Sequence, residues 1–279
     1  MGSVEPLAGA TLVAVVALLL NVLTLWMTRW VWIIAIASVV VTGYVAGVMH
    51  GPAALWLLAL AASVWTLRTQ HTWRRVIGIG ATVVLGLLLG LHLLPGFANP
   101  IVIRQAVLSP GAIPYSQYVN FDKTLGAVLL LGLSGWTPIR SLQDWTAAVR
   151  RAAPVTLITV IVVMTASLAI GFAQGQPRWS PLFGVWAVVN LLTTCVSEEA
   201  FFRGFIQKEI GDRIGLLASA VLFGLAHLAG GWTYVGVAAL AGIGYASVYW
   251  LTARVEMSIV THFIVNAVHF LLFTYPSLA

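Results

Sequence analysis

Charge is scarce in this chain. Of 279 residues 8% are Asp, Glu, Lys or Arg, while 60% are hydrophobic and the mean hydropathy is +0.98. A soluble core of this size would not need so much apolar surface, so a soluble globular domain is excluded. Lysine is almost missing. The two Lys and twelve Arg are scattered at the ends of apolar runs. No basic stripe with interleaved aromatics is present, which removes nucleic acid as a partner. Cysteine occurs once, at Cys195, so no internal disulfide framework exists and the redox compartment is not legible. Its plain role is a small packed side chain.

Long apolar runs are what the chain does have. They fall at about 7–27, 31–49, 52–67, 76–94, 124–136, 155–174, 183–207, 214–230, 232–252 and 257–274. Crossing a bilayer core takes roughly 20 apolar residues, and two runs fall clearly short of that. The pattern predicts an all-α, polytopic membrane bundle of eight to ten transmembrane helices. The first run is too long, and too quickly followed by more spans, for a cleaved signal peptide, so a retained helix is expected. Trp26, Trp30, Trp32, Trp73, Trp136, Trp179, Trp232 and Trp250 stand near run ends, where an amphipathic ring suits the lipid interface.

If all ten runs span, the cations sort by side. Arg29, Arg68, Arg74, Arg75, Arg140, Arg150, Arg151, Lys208, Arg213 and Arg254 face Arg104, Lys123 and Arg178 across the membrane. The first set is then cytoplasmic and both termini are external. Pro95 to Asp122, which also holds Pro100, Pro110 and Pro114, is the longest stretch without a span. It divides a four-helix membrane block (1–94) from a C-terminal core (123–279), with 95–122 as the connecting loop. No internal repeat is visible, whereas an inverted-repeat transporter would show one.

Against this background the segment "SEEAFFR", residues 197–203, stands out. Intramembrane acids cost at least a few kcal/mol to insert and mark functional sites by default. Glu199 and Arg203 share a helical face with the acid leading, the favoured order for an ion pair. Glu198 points about one hundred degrees away and has no partner on its own helix. A lone carboxylate of this kind suits a general base. The plain alternative is that both acids are solvated at a helix end.

Three other polar residues intrude in the same third of the chain. "FGLAHLAGG" sets His227 in an otherwise apolar helix, and "THFIVNAVHF" sets His262 and Asn266 four apart on one face. Between them Ala238, Gly242 and Ala246 form a small-residue stripe that permits close helix packing. His269, one heptad past His262, and Asn190, eight residues before Glu198, are further residues that can face the same place. Asn120, Asp122 and Lys123 read as a loop-to-helix junction. His50, His71 and His92 read as solvated run ends, and Ser197 as a capping or packing residue.

"EEAFFR", "FGLAH" and "HFIVN" resemble, in order and spacing, the EExxxR, FxxxH and HxxxN motifs of the CPBP intramembrane proteases, which include type II CAAX prenyl endopeptidases and bacterial Abi-type proteins. The resemblance covers about residues 120–275. It implies an intramembrane endopeptidase in which Glu198 and His227 activate a water, His262 and Asn266 donate hydrogen bonds to the oxyanion, and Glu199 and Arg203 brace the helix. No cofactor is implied. A metal variant remains beside it, with Glu198, His227 and His262 as ligands. Against that variant there is no HExxH, and Asn is a poor zinc ligand.

Two other classes stay open at this point: a non-catalytic membrane adaptor or immunity protein, and a proton-coupled transporter. The His262 and Asn266 pair favours the peptidase, since a proton relay has no need of oxyanion donors. The expected partners are the lipid bilayer and a membrane-associated peptide or protein substrate. The bias to Arg over Lys and the abundance of Ala, Gly and Val point to a high-GC bacterium, hence to a bacterial inner membrane.

Overall fold

The computed structural model describes residues 3–27 and 29–279, with backbone alone at Arg29 and Trp30. Those two side chains, counted above among the basic and interfacial residues, lie outside the described residues. In chain order the helices are α1 (Gly9–Thr24), α2 (Arg29–Val45), α3 (Ala53–Thr66) and α4 (Thr72–Gly90). A two-stranded antiparallel hairpin comes next, β1 (Ile101–Ala106) with β2 (Tyr115–Tyr118). Then come α5 (Phe121–Leu133), α6 (Leu142–Ala169), α7 (Phe183–Ile210), α8 (Asp212–Leu225), α9 (Trp232–Thr252) and α10 (Val255–Leu272).

Among the described residues, α4, α6, α7, α9 and α10 are long and apolar enough to cross a membrane. Helices α1 to α3 are apolar but shorter. The protein is a polytopic helical membrane protein. The run expected at 124–136 becomes α5, whose 13 residues reach only about 20 Å. Protein surrounds it along most of its length: Thr124 to Leu131 are all buried. A Cβ at Gly132 would lie 2.7 Å from the Trp32 ring, so α5 and α2 meet at a position without a side chain.

The stretch 95–122, expected as a connecting loop, contains the hairpin. Its register pairs Ile101 with Tyr118, Ile103 with Gln117 and Ala106 with Tyr115. Ile103 and Gln117 are buried, and Gln117 donates to the Trp186 carbonyl at 3.1 Å, which ties the hairpin to α7. The C-terminal tail joins the same layer, with Ile113 N–H donating to Ser277 O and Ala279 N–H to Gly111 O. One apolar cluster runs from Ala14 in α1 to Tyr275 in that tail, so the N-terminal helices and the C-terminal core share a single interior.

Local sequence sets the ends of the helices around the site. Ser141 caps α6, its hydroxyl accepting from Asp144 N–H at 3.0 Å. Gly211 and Gly231, at φ +77° and +88°, break the chain before α8 and α9 in a conformation that costs glycine nothing. The small-residue stripe on α9 meets α8 closely, as its pattern predicts. A Cβ on Gly224 of α8 would lie 2.7 Å from Ala239, and one on Gly242 would lie 3.2 Å from the Ala220 backbone.

Candidate active site

Helix α7 is not a plain α-helix. The α-helical turn Val196–Phe201, which carries both glutamates, lies between two π-helical stretches, Asn190–Cys195 and Phe202–Gln207. A π stretch widens the coil and rotates the residues beyond it, and such bulges concentrate at functional sites. Here they flank the turn that carries Glu198 and Glu199.

Glu199 is fully buried. Its Oε1 accepts from Arg203 Nη1 at 3.1 Å, the pairing expected from the four-residue spacing. The same oxygen lies 2.8 Å from His262 Nδ1. Glu199 therefore does more than brace its own helix: it orients a histidine on α10. Arg203, also fully buried, donates from Nη2 to the Gly242 carbonyl at 2.9 Å and lies over Phe223 and Tyr245 at 4.7 and 5.4 Å. Arg203 thereby links α7 to α8 and α9. Tyr245 stacks on the His262 ring at 4.5 Å and 16°, which fixes the plane of the imidazole.

Glu198 has a partner after all, from another element. Lys123, in the first turn of α5, donates from Nζ to Glu198 Oε1 at 3.0 Å. Asp122 fixes that turn: its Oδ1 accepts from Lys123 N–H, and its Oδ2 is held by His92 Nδ1 at 2.7 Å and Asn99 Nδ2 at 3.0 Å. His92 is thus tied to the buried Asp122 rather than simply solvated. The reading of Lys123 as a helix-start residue located the helix and missed the contact. The available signal was that Lys123 is one of two lysines, placed in the first turn of an apolar run.

The other oxygen, Glu198 Oε2, is buried without a hydrogen-bond partner and lies 4.0 Å from His262 Nε2. Glu198 lines a cavity of about 430 Å³ together with His227, His262, Asn266, Asn190 and His269, among others. The structure thus brings all four residues expected to act on the substrate to one cavity. His227 departs from expectation in one respect. Helix α8 ends at Leu225, and His227 sits in the turn before Gly230 and Gly231. Its Nδ1 lies 2.8 Å from the Phe223 carbonyl. A carbonyl only accepts, so Nδ1 carries a proton and Nε2 is the ring nitrogen left for other contacts.

Asn266 donates to Asn190 Oδ1 at 3.2 Å, which assigns Asn190 a positioning contact within the cavity. The same Nδ2 also donates to Cys195 Sγ at 3.9 Å, the weaker of its two contacts. His269 lines the cavity and bonds the Thr274 carbonyl through Nε2 at 3.1 Å. At the rim, burial and the neighbouring Tyr275 push the Tyr115 phenol well above its ordinary range, so it stays a neutral hydrogen-bonding group. Ser197 is buried and bonds Thr124 at 3.5 Å, a packing role, and Cys195 is buried beside Asn190. Among the described residues no group of three or more His, Cys, Asp or Glu stands in position to hold a metal ion. His262 already commits Nδ1 to Glu199, which leaves it one nitrogen for any ligand.

Residues 179–268 match the family model described as Type II CAAX prenyl endopeptidase Rce1-like. The chain carries an Rce1-like segment. Glu198, Glu199, Arg203, His227, His262 and Asn266 all fall inside it, while Lys123 and the helices α1 to α6 fall outside. No curated protein and no solved structure matches the chain.

Proposed function

We propose that this protein is an intramembrane endopeptidase that hydrolyses a peptide bond in a membrane-associated substrate with a Glu198-activated water. The Rce1-like segment supports a membrane protease. The observation that carries the mechanism is the divided environment of Glu198: Lys123 holds Oε1, and Oε2 is left unpaired at the cavity. A carboxylate so held is anchored at one oxygen and open at the other, which is the requirement for a general base.

In this reading a water donates one hydrogen to Glu198 Oε2 and the other to His227 Nε2, leaving its oxygen lone pair for the substrate carbonyl carbon. As the C–O bond forms, the proton moves to Glu198 and the carbonyl becomes an oxyanion. Asn266 Nδ2–H and His262 Nε2–H donate to that oxyanion. Glu198 then returns the proton to the amide nitrogen, the C–N bond breaks, and a carboxylic acid and an amine form, the acid passing its proton to the amine to give carboxylate and ammonium. No acyl-enzyme is formed and no metal takes part.

The substrate is a membrane-associated peptide or protein, cleaved near one of its ends, and the protein resides in a bacterial inner membrane. The test is Glu198→Gln in purified full-length protein assayed on a membrane-peptide library. Loss of the general base is expected to lower kcat by about 10²–10⁴ while the fold persists. Cleavage at the wild-type rate by Glu198→Gln ends the proposal.

A further inference from the structure

A second cavity, of about 340 Å³, lies on the other side of Glu198 and His227, which line both. Its walls are mostly apolar, with Leu60 from α3, Leu89 from α4, Leu130 from α5 and Phe201 from α7, and Lys123 and His92 line it beside Glu198. Two glycines of α4, Gly86 and Gly90, give it depth. At Gly86 a Cβ would overlap the Phe201 ring, so the missing side chain lets Phe201 lie against α4. At Gly90 a Cβ would meet nothing within 4 Å. Gly90 lines the cavity, and a side chain there has room to stand.

We propose that this cavity is a specificity subsite that takes a large apolar side chain of the substrate, next to the bond cleaved, with Gly90 setting its depth. The inference rests on the hydrolase reading above and adds what that reading lacks, the chemistry that selects the peptide. The occupant is set by continuity with the site. Because Glu198 and His227 form one end of the cavity, whatever fills it lies against the reacting atoms, and a lipid chain there would displace the peptide from the water. The volume falls in the range of ligand pockets and exceeds what a small residue fills. The walls from α3 and α4 lie outside the Rce1-like segment, so selection is carried by helices that the matched region does not contain.

The experiment uses the full chain in liposomes and a set of membrane-associated peptides identical except for Ala, Val, Leu, Phe or Trp at each position flanking the cleaved bond. At one of those positions the wild type is expected to prefer Leu or Phe to Ala by about 10–200-fold in kcat/KM, the span that methylene-scale contacts in an apolar pocket deliver. Gly90→Ala and then Gly90→Leu shift the optimum stepwise to smaller side chains. An unchanged size preference, or an equal loss on every peptide, overturns the proposal, the latter because it would mean a lipid or a structural role at this cavity.

A second readout does not need turnover. In Glu198→Gln protein carrying Gly90→Cys, a Leu- or Phe-bearing peptide is expected to protect the new thiol from a maleimide, and the Ala-bearing peptide is not. The native thiol, Cys195, is buried and serves as the background control. Failure of the wild type to cleave any peptide while protection persists defeats the hydrolase reading and keeps the subsite. Equal labelling with every peptide defeats the subsite whatever the turnover.

Discussion

Replacing Arg203 by Met tests the buried centre of the site. The guanidinium has no solvent exposure and pairs with Glu199, which has none either. Truncating one partner of a buried pair costs about 3–5 kcal/mol, and Glu199 is then left with His262 Nδ1 as its remaining partner. Met returns most of the lost volume, so the cavity contribution is small. The lost approach to Phe223 and Tyr245 adds roughly 1 kcal/mol. The expected destabilisation for Arg203→Met is therefore about 4–6 kcal/mol.

The sign of the coupling discriminates further. Arg203 Nε and Glu199 Oε2 have no partners, so the pair is not fully satisfied within the protein. Adding Glu199→Gln to Arg203→Met removes the stranded charge, and the double variant should lose less than the sum of the singles by about 2 kcal/mol. Equilibrium unfolding in mixed micelles, followed by the fluorescence of the 12 tryptophans, measures all four corners. Additive losses, or an Arg203→Met variant within about 1 kcal/mol of wild type, would refute the claim that a buried charge pair holds α7 to its neighbours.

Glu198 and its surroundings give two further outcomes. Lys123→Met should lower kcat by roughly 10–100-fold, and Lys123→Arg should recover part of the loss, because Lys123 positions the Glu198 carboxylate; an unchanged kcat with a raised KM would place it in binding instead. Prolonged chelation should leave hydrolysis intact, and a loss restored by added zinc would make the reaction metal-dependent.

Composition alone determined the membrane bundle, because hydropathy is a property of the residues and a bilayer demands long apolar helices whatever their arrangement. Glu199 and Arg203 were equally legible, since a four-residue spacing fixes a shared face without reference to the rest of the fold. The motifs placed Glu198, His227, His262 and Asn266 in one reading, and these residues do line one cavity. What the sequence withheld were relations between distant segments. Lys123 reaches Glu198 across 75 positions, and His262 reaches Glu199 across 63. No periodicity encodes such pairs.

Other features were hidden for local reasons. Two π-helical stretches keep the apolar pattern of an ordinary helix, so hydropathy gives no sign of them. The end of α8 before His227 depended on Gly230 and Gly231 outweighing a continuous apolar run. The short α5 looked like a weak span because hydropathy cannot tell a helix wrapped by lipid from one wrapped by protein. Only the tertiary structure decided that difference, by packing the N-terminal helices around α5 and so placing Lys123 against Glu198, with an apolar cavity beside the pair.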